Sequence, residues 1–188
     1  MSLSVSTAIA HAVLSVSSAY AISQTSDCVF AVLGFVLYFI NGILGIVAYG
    51  LPVQEKGKFD FYYSKSSLYC YALCLPLFAS EICLRNNSSR WSCSLLYMIP
   101  FLNLLKSELR CSILNKHTSD VIHSISFFII VYLWEKTTYM LEYGIAFIVL
   151  TYYQYFIMSM VNLFVEYRLV EYAFVAAASN YCLVMLYK

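Results

Sequence analysis

The chain has 188 residues, of which 62% are hydrophobic and 11% are charged, and its net charge is +1. A soluble domain is about 45–50% apolar and about 25% charged, so this chain has too few charged side chains for a water-soluble or disordered protein. The balanced charge also argues against binding to nucleic acid. The composition therefore predicts an integral membrane protein.

Apolar segments divide the chain into membrane spans. A spanning helix takes about 20 apolar residues, and four segments meet this: 3–22, 28–53, 139–165 and 169–187. Three weaker candidates are 68–83, 91–105 and 121–134. A backbone in lipid must satisfy its own hydrogen bonds, so each is predicted to be a helix. We predict one all-α domain over residues 1–188, a polytopic membrane helix bundle of six or seven transmembrane helices.

The basic residues predict the orientation of the bundle. Lysine and arginine favour cytoplasmic loops, and with seven spans the side that holds the N-terminus carries seven of them against four. The N-terminus is therefore predicted to be cytoplasmic. Overlapping glycosylation sequons at Asn86 and Asn87 lie on the other side, where the alternative interpretation is an unmodified turn. A secretory-pathway or plasma membrane is favoured, and an organelle inner membrane is the alternative.

The first segment resembles a signal peptide in one respect, because Ala19-Tyr20-Ala21 has the form of a cleavage site. No basic residue precedes the apolar run, however, and the run is longer than a typical signal core. We predict that this segment is retained as a span.

Polar residues line one face of the first span. The spacing of three and four residues places them together, and the set is Ser4, Thr7, His11, Ser15 and Ser18. Small hydroxyl residues let helices approach and hydrogen-bond, so a helix contact with His11 paired inside it is favoured. The alternative is a proton relay or metal ligand. No other metal-ligating residue lies at ligand spacing, so no metal site is predicted.

Two other spans carry an amide beside small residues. Asn41 stands next to Gly42, and Asn180 closes a row of alanines on the last span. Both patterns predict close helix packing. Gly34 and Gly45 extend the first pattern along the same helix.

The 139–165 segment has the most polar face. Thr151, Tyr155, Asn162 and Glu166 follow at spacings of four, seven and four residues, and Glu142 lies further up. A carboxylate there would bind a cation or carry a proton. The 24 residues between the two glutamates correspond to about 36 Å of helix, which favours positions at the two opposite interfaces.

The cysteines and the motifs indicate little chemistry. Cys83 and Cys93 flank a predicted turn and are candidates for a disulfide. No phosphate-binding loop, metalloprotease helix or nucleophile elbow is present in the sequence. We therefore expect a protein that is not an enzyme and has no cofactor.

Three short motifs resemble a known family. The first span opens with Ser6-Thr7-Ala8 followed by His11, the third holds Leu75-Pro76-Leu77 followed by Glu81, and the last holds Tyr181-Cys182. This pattern resembles the transmembrane protein 276 family of animals. The resemblance implies a small multi-pass chain with the same order of spans, and it implies no activity.

The leading functional expectation is a non-enzymatic accessory or structural subunit of a larger membrane complex. Its partners would be other membrane subunits and bilayer lipids, and mid-span tyrosines such as Tyr155 would need partner helices. The alternative is a small channel or transporter with a polar interior pathway, lined by His11, Asn41, Glu142 and Glu166. A third interpretation is a lipid-handling enzyme using the acid–base pair Asp120 and His123.

Overall fold

The computed structural model of the chain describes residues 2–50, 53–86, 90–109, 116–134, 141–157 and 165–187. Over these residues the regular elements are helical, which confirms the predicted all-α class. The helices are α1 (Ser2–Gln24), α2 (Val29–Gly50), α3 (Val53–Arg85), α4 (Arg90–Glu108), α5 (Lys116–Trp134), α6 (Leu141–Tyr152), which continues into a π-helical segment (Tyr153–Ile157), and α7 (Val165–Tyr187).

Four helices are long and apolar enough to cross a membrane. Their apolar stretches are Val5–Gln24, Val29–Gly50, Phe59–Arg85 and Leu169–Tyr187. Cys93–Lys106 and Asp120–Leu133 form shorter apolar helices. The 68–83 segment, expected to be a weak span, lies inside the long apolar stretch of α3. Neighbouring helices bury the polar residues of this segment. The 139–165 segment is helical over 141–157, and residues 158–164 lie outside the described part.

Six helices form a closed ring. Each of α1, α2, α3, α5, α6 and α7 packs against the next in this order, and α7 packs against α1. The remaining helix, α4, packs against α3 and α5. Large apolar side chains cover the outside of the bundle, and a set of histidine, asparagine, tyrosine and serine side chains is buried inside. The apolar surface matches a lipid environment, whereas the interior is unusually polar.

Glycines set the close contact between α1 and α2. A Cβ atom added to Gly42 would lie 2.9 Å from the His11 carbonyl oxygen, and one added to Gly45 would lie 2.8 Å from the His11 Nδ1. The imidazole of His11 therefore occupies the space that a larger residue at position 45 would fill. Close packing at Gly45, expected from the sequence, is what the structure shows. Gly34 plays the same part between α2 and α3, where a Cβ would lie 2.6 Å from the Phe78 ring.

A buried carboxylate holds one end of the bundle together. Glu81 in α3 accepts a hydrogen bond from the Phe30 N–H at the start of α2, over 3.0 Å, where the helix dipole favours a negative charge. Its other oxygen lies 3.9 Å from the Arg85 Nε. Arg85 in turn donates to the Tyr187 carbonyl oxygen of α7 over 2.7 Å. Glu81 and Arg85 thus join α2, α3 and α7.

An ion pair joins α3 to α4 at the opposite end. Lys65 Nζ lies 2.5 Å from Glu108 Oε1. The hydrogen bond from Lys65 lowers the pKa of the Glu108 carboxyl below its usual value. Both side chains are more than one third exposed, so water screens the pair and its contribution to stability is small.

Candidate functional site

Aromatic and polar side chains from four helices meet inside the ring. We call this group the interior cluster; its members are Tyr38 of α2, Tyr71 of α3, His123 of α5, and Gln154 and Tyr155 of the π-helical segment. The Tyr38 and Tyr155 hydroxyls lie 3.4 Å apart, and the Gln154 amide donates to the Tyr38 hydroxyl over 3.3 Å. The His123 ring lies 4.5 Å from the Tyr71 ring and 4.9 Å from the Tyr155 ring, between centroids. Hydrogen bonds and ring contacts therefore join the five side chains into one group.

The π-helical segment brings two consecutive polar residues into the cluster. It replaces i→i+4 bonding with i→i+5 bonding over Tyr153–Ile157, and both Gln154 and Tyr155 are buried. Thr151, one turn earlier, is buried as well. Segments of this kind occur frequently at functional sites. The spacing of Thr151 and Tyr155 predicted one polar face. The π-helical geometry adds the Gln154 amide to that face.

His123 is held by the backbone of the neighbouring helix. Its Nε2 donates to the Tyr71 carbonyl oxygen over 2.7 Å, so Nε2 carries a proton and, in the neutral ring, Nδ1 is the basic nitrogen. The imidazole therefore ties α5 to α3 and keeps one nitrogen able to accept a proton.

Asp120 marks the edge of the interior cluster. The Tyr71 hydroxyl donates to Asp120 Oδ1 over 3.3 Å, and Asp120 is half-buried where the apolar part of α5 begins. Asp120 and His123 both contact Tyr71, which lies between them. The two residues expected to form an acid–base pair thus join the same cluster through a tyrosine.

An apolar layer closes the cluster toward the Glu81 end. The Phe78 ring lies 6.0 Å from the Tyr38 ring and 5.1 Å from the Phe35 ring, between centroids. Both phenylalanines are fully buried, and Phe78 packs on Gly34. The polar interior therefore extends from Asp120 to Tyr38 and ends at this layer.

His11 belongs to a second polar group, between α1, α2 and α3. Its Nε2 lies 3.0 Å from the Tyr63 hydroxyl of α3. Ser67 donates to Asn41 Oδ1 over 3.0 Å. His11 Nδ1 and Asn41 Nδ2 find no hydrogen-bond partner among the described residues. His11 and Asn41, which the sequence proposed separately, are thus both hydrogen-bonded to α3, one to Tyr63 and the other to Ser67.

Two other predicted polar residues lie where α1 contacts its neighbours. The Ser15 hydroxyl donates to the His11 carbonyl oxygen over 3.0 Å, beside Gly42. The Asn180 amide of α7 donates to the Ser18 hydroxyl of α1 over 3.0 Å and lies 3.2 Å from the Ser17 hydroxyl. Asn180 therefore closes the ring between α7 and α1.

Glu142 joins neither polar group and lies exposed in the first turn of α6. Glu166 lies in the first turn of α7. Residues 158–164 lie outside the described part, so the single polar face from Thr151 to Glu166 stays a prediction. Asn162 lies outside the described residues.

The predicted turn residues lie at the Glu81 end. Asn86 follows α3 and donates from its amide to the Ile82 carbonyl oxygen over 2.9 Å, whereas Asn87 lies outside the described residues. Cys83 and Cys93 are buried thiols in one apolar cluster with Leu133. Over the described residues, no group of three or more metal-ligating side chains is placed to hold a metal ion.

Several residues of the interior cluster carry no sequence signal of their own. Tyr38, Tyr71 and Gln154 lie far apart in the chain and are three among many polar residues in apolar runs. The pair Glu81 and Arg85 did carry a signal, since opposite charges four residues apart end an apolar run.

The tyrosines are divided between the interior and the outside. The Tyr155 and Tyr38 hydroxyls lie 3.4 Å apart within the chain, so Tyr155 has a hydrogen-bond partner inside the bundle. Tyr152 faces outward and is 49% exposed.

The sequence and the fold were compared with protein families, curated proteins and solved structures. No protein-family model, curated protein or solved structure matches the sequence. The resemblance to the transmembrane protein 276 family therefore stays a prediction.

Proposed function

We propose that this chain is a small channel or transporter in which the interior cluster passes protons or a small hydrogen-bonding solute. The observation that carries the proposal is the continuous polar interior from Asp120 through His123 and Tyr155 to Tyr38, inside a ring with an apolar exterior. Ionisable residues within spans commonly serve as proton relays or line solute pathways. His123, with a basic Nδ1, is the group proposed to accept a proton.

The proposal includes seven spans, with the N-terminus in the cytoplasm of a secretory-pathway or plasma membrane. Helices α4 and α5 have 19 residues each, which at about 1.5 Å per residue is close to the thickness of a bilayer core of about 30 Å. In this arrangement Asp120 faces the side of the N-terminus, and the Phe35–Phe78 layer separates the cluster from the other side. An organelle inner membrane is the alternative compartment.

The matched pair Tyr155→Phe and Tyr152→Phe tests the pathway. Both variants remove one hydroxyl from the same helical stretch, but only Tyr155 contributes its hydroxyl to the interior cluster. We expect Tyr155→Phe to lower proton or solute flux into liposomes by about tenfold, because an unsatisfied buried partner costs about 1–3 kcal/mol and about 1.4 kcal/mol is a factor of ten in rate. Tyr152→Phe should match the unsubstituted chain.

His123→Ala should abolish the flux in the same assay if it accepts the proton. Equal flux for Tyr155→Phe and Tyr152→Phe, in variants with unchanged melting temperatures, would contradict the interior pathway. No flux of the unsubstituted chain for protons, cations, anions or small neutral solutes would also overturn it.

A second candidate is the accessory subunit expected from the sequence, and one observation favours it. Tyr152 lies near the middle of the predicted 139–165 span and faces outward, stacked on Phe156 at 5.4 Å and near Phe127 at 5.9 Å, between ring centroids. A phenol facing hydrocarbon gains from a hydrogen-bonding partner, which a helix of another subunit would supply.

Purification in mild detergent with mass spectrometry tests the second candidate. We expect a stoichiometric membrane subunit that is lost in the Tyr152→Leu variant and kept in the Tyr62→Leu variant, which changes an exposed tyrosine elsewhere, on α3. A monodisperse chain without a co-purifying protein would exclude this candidate.

A further inference from the structure

Two cysteines face each other where α3 leads into α4. Cys83 is 7% exposed and Cys93 is fully buried, and both pack with Leu133 in one small apolar cluster. Both cysteines are free thiols, and the apolar cluster brings them together from two different helices.

The surrounding helices fix this contact. The Ser80 hydroxyl, one turn before Cys83, lies 2.8 Å from the Cys93 carbonyl oxygen, so the backbones of α3 and α4 are held close at this point. Leu133 of α5 covers the pair from the side. A disulfide needs Cα atoms about 4.4–6.8 Å apart, a separation that two side chains packed in one cluster on neighbouring helices reach with a small movement.

The other described cysteines are placed differently. Cys70 and Cys74 lie one turn apart on α3, and their thiols donate to the Leu37 and Gly34 carbonyl oxygens of α2. The Cys28 thiol accepts from Arg85 over 2.6 Å. These contacts serve the packing of helices, whereas Cys83 and Cys93 lie in one apolar cluster on two different helices.

We propose that Cys83 and Cys93 form a reversible redox pair that links α3 to α4. One thiolate attacks a small-molecule or protein disulfide and releases one of its thiols; the second cysteine then attacks the mixed disulfide and releases the other. The two cysteines lose two electrons and two protons, and the external disulfide gains them. Because α4 packs on the outside of the ring, the bond fastens it to α3.

Glutathione titration of the full-length chain in liposomes tests the pair, with Cys111→Ser as the background. After alkylation of free thiols, reduction and relabelling, we expect two protected cysteines whose fraction rises with the ratio of oxidised to reduced glutathione. Peptide mapping of the oxidised chain should find the Cys83 and Cys93 peptides joined, with a mass two hydrogens below that of the two reduced peptides. Dithiothreitol should reverse it.

Matched variants decide the outcome. Cys83→Ser or Cys93→Ser should abolish the protection, and Cys70→Ser with Cys74→Ser should leave it intact. The proposal is overturned if Cys83 and Cys93 stay alkylatable at every ratio, if the bond joins two chains, or if Cys70 and Cys74 are the protected pair. This test does not depend on any flux through the interior cluster.

Discussion

Replacing Gly42 with alanine should lower the melting temperature of the chain by about 2–12 °C. The added Cβ would lie 2.9 Å from the His11 carbonyl oxygen and 3.0 Å from the Ser15 nitrogen. Both are backbone atoms of α1, so the clash is relieved only by moving one helix away from the other. Overpacking of this kind costs about 1–3 kcal/mol, and about 1 kcal/mol corresponds to about 2–4 °C in a chain of this length.

The control for Gly42→Ala is Gly50→Ala on the same helix. A Cβ at Gly50 would meet its nearest neighbour, the Ala8 Cβ, at 3.9 Å, an ordinary contact. Alanine also has a higher helix propensity than glycine, so Gly50→Ala should be neutral or slightly stabilising. Thermal denaturation in detergent, followed by size-exclusion chromatography, measures both. Equal melting temperatures for the two variants would show that α1 and α2 are not closely packed at Gly42.

Glu81→Ala should destabilise the chain by about 2–3 kcal/mol, in the range expected for losing charged hydrogen bonds at a buried site. Glu81 is 6% exposed, and its removal leaves the Phe30 N–H without this acceptor. It also leaves Arg85 without its partner within α3. The set of contacts that joins α2, α3 and α7 is then broken at Glu81.

Two further variants separate the charge from the hydrogen bond. Glu81→Gln keeps an acceptor for the Phe30 N–H and should lose less stability than Glu81→Ala. Asp27→Asn removes a carboxylate 3.6 Å from Arg85 that is 80% exposed, and should change the stability by about 0.5 kcal/mol or less. If Glu81→Ala and Asp27→Asn had the same small effect on the denaturation midpoint, the anchoring role of Glu81 would be wrong.

Local patterns were sufficient for the helices and for some of their contacts. The spacing of Thr7, His11 and Ser15 predicted one face of α1, and the structure places that face against the glycines of α2. Such predictions depend only on the period of a helix and on the size of side chains. The spacing of Thr151 and Tyr155 likewise predicted two residues on one helix face, and both are buried.

The interior cluster needed contacts that no local pattern encodes. Tyr38 and Tyr155 are separated by 117 positions, and Tyr71 and His123 by 52. Which tyrosines face inward depends on how the ring closes and on the π-helical segment at Tyr153. The sequence therefore predicted polar residues within spans without predicting which of them meet.

The composition of 62% hydrophobic and 11% charged residues was sufficient to predict a helical membrane chain. Apolar runs of about 20 residues satisfy their backbone hydrogen bonds as helices in lipid. The tertiary structure decided where the polar minority lies. Ring closure placed His123, Tyr155 and Tyr38 inside and left the outer surface apolar, since buried polar groups are stable only when they find hydrogen-bond partners. It also brought Cys83 to Cys93 and Glu81 to Phe30, contacts that arise only when the helices pack.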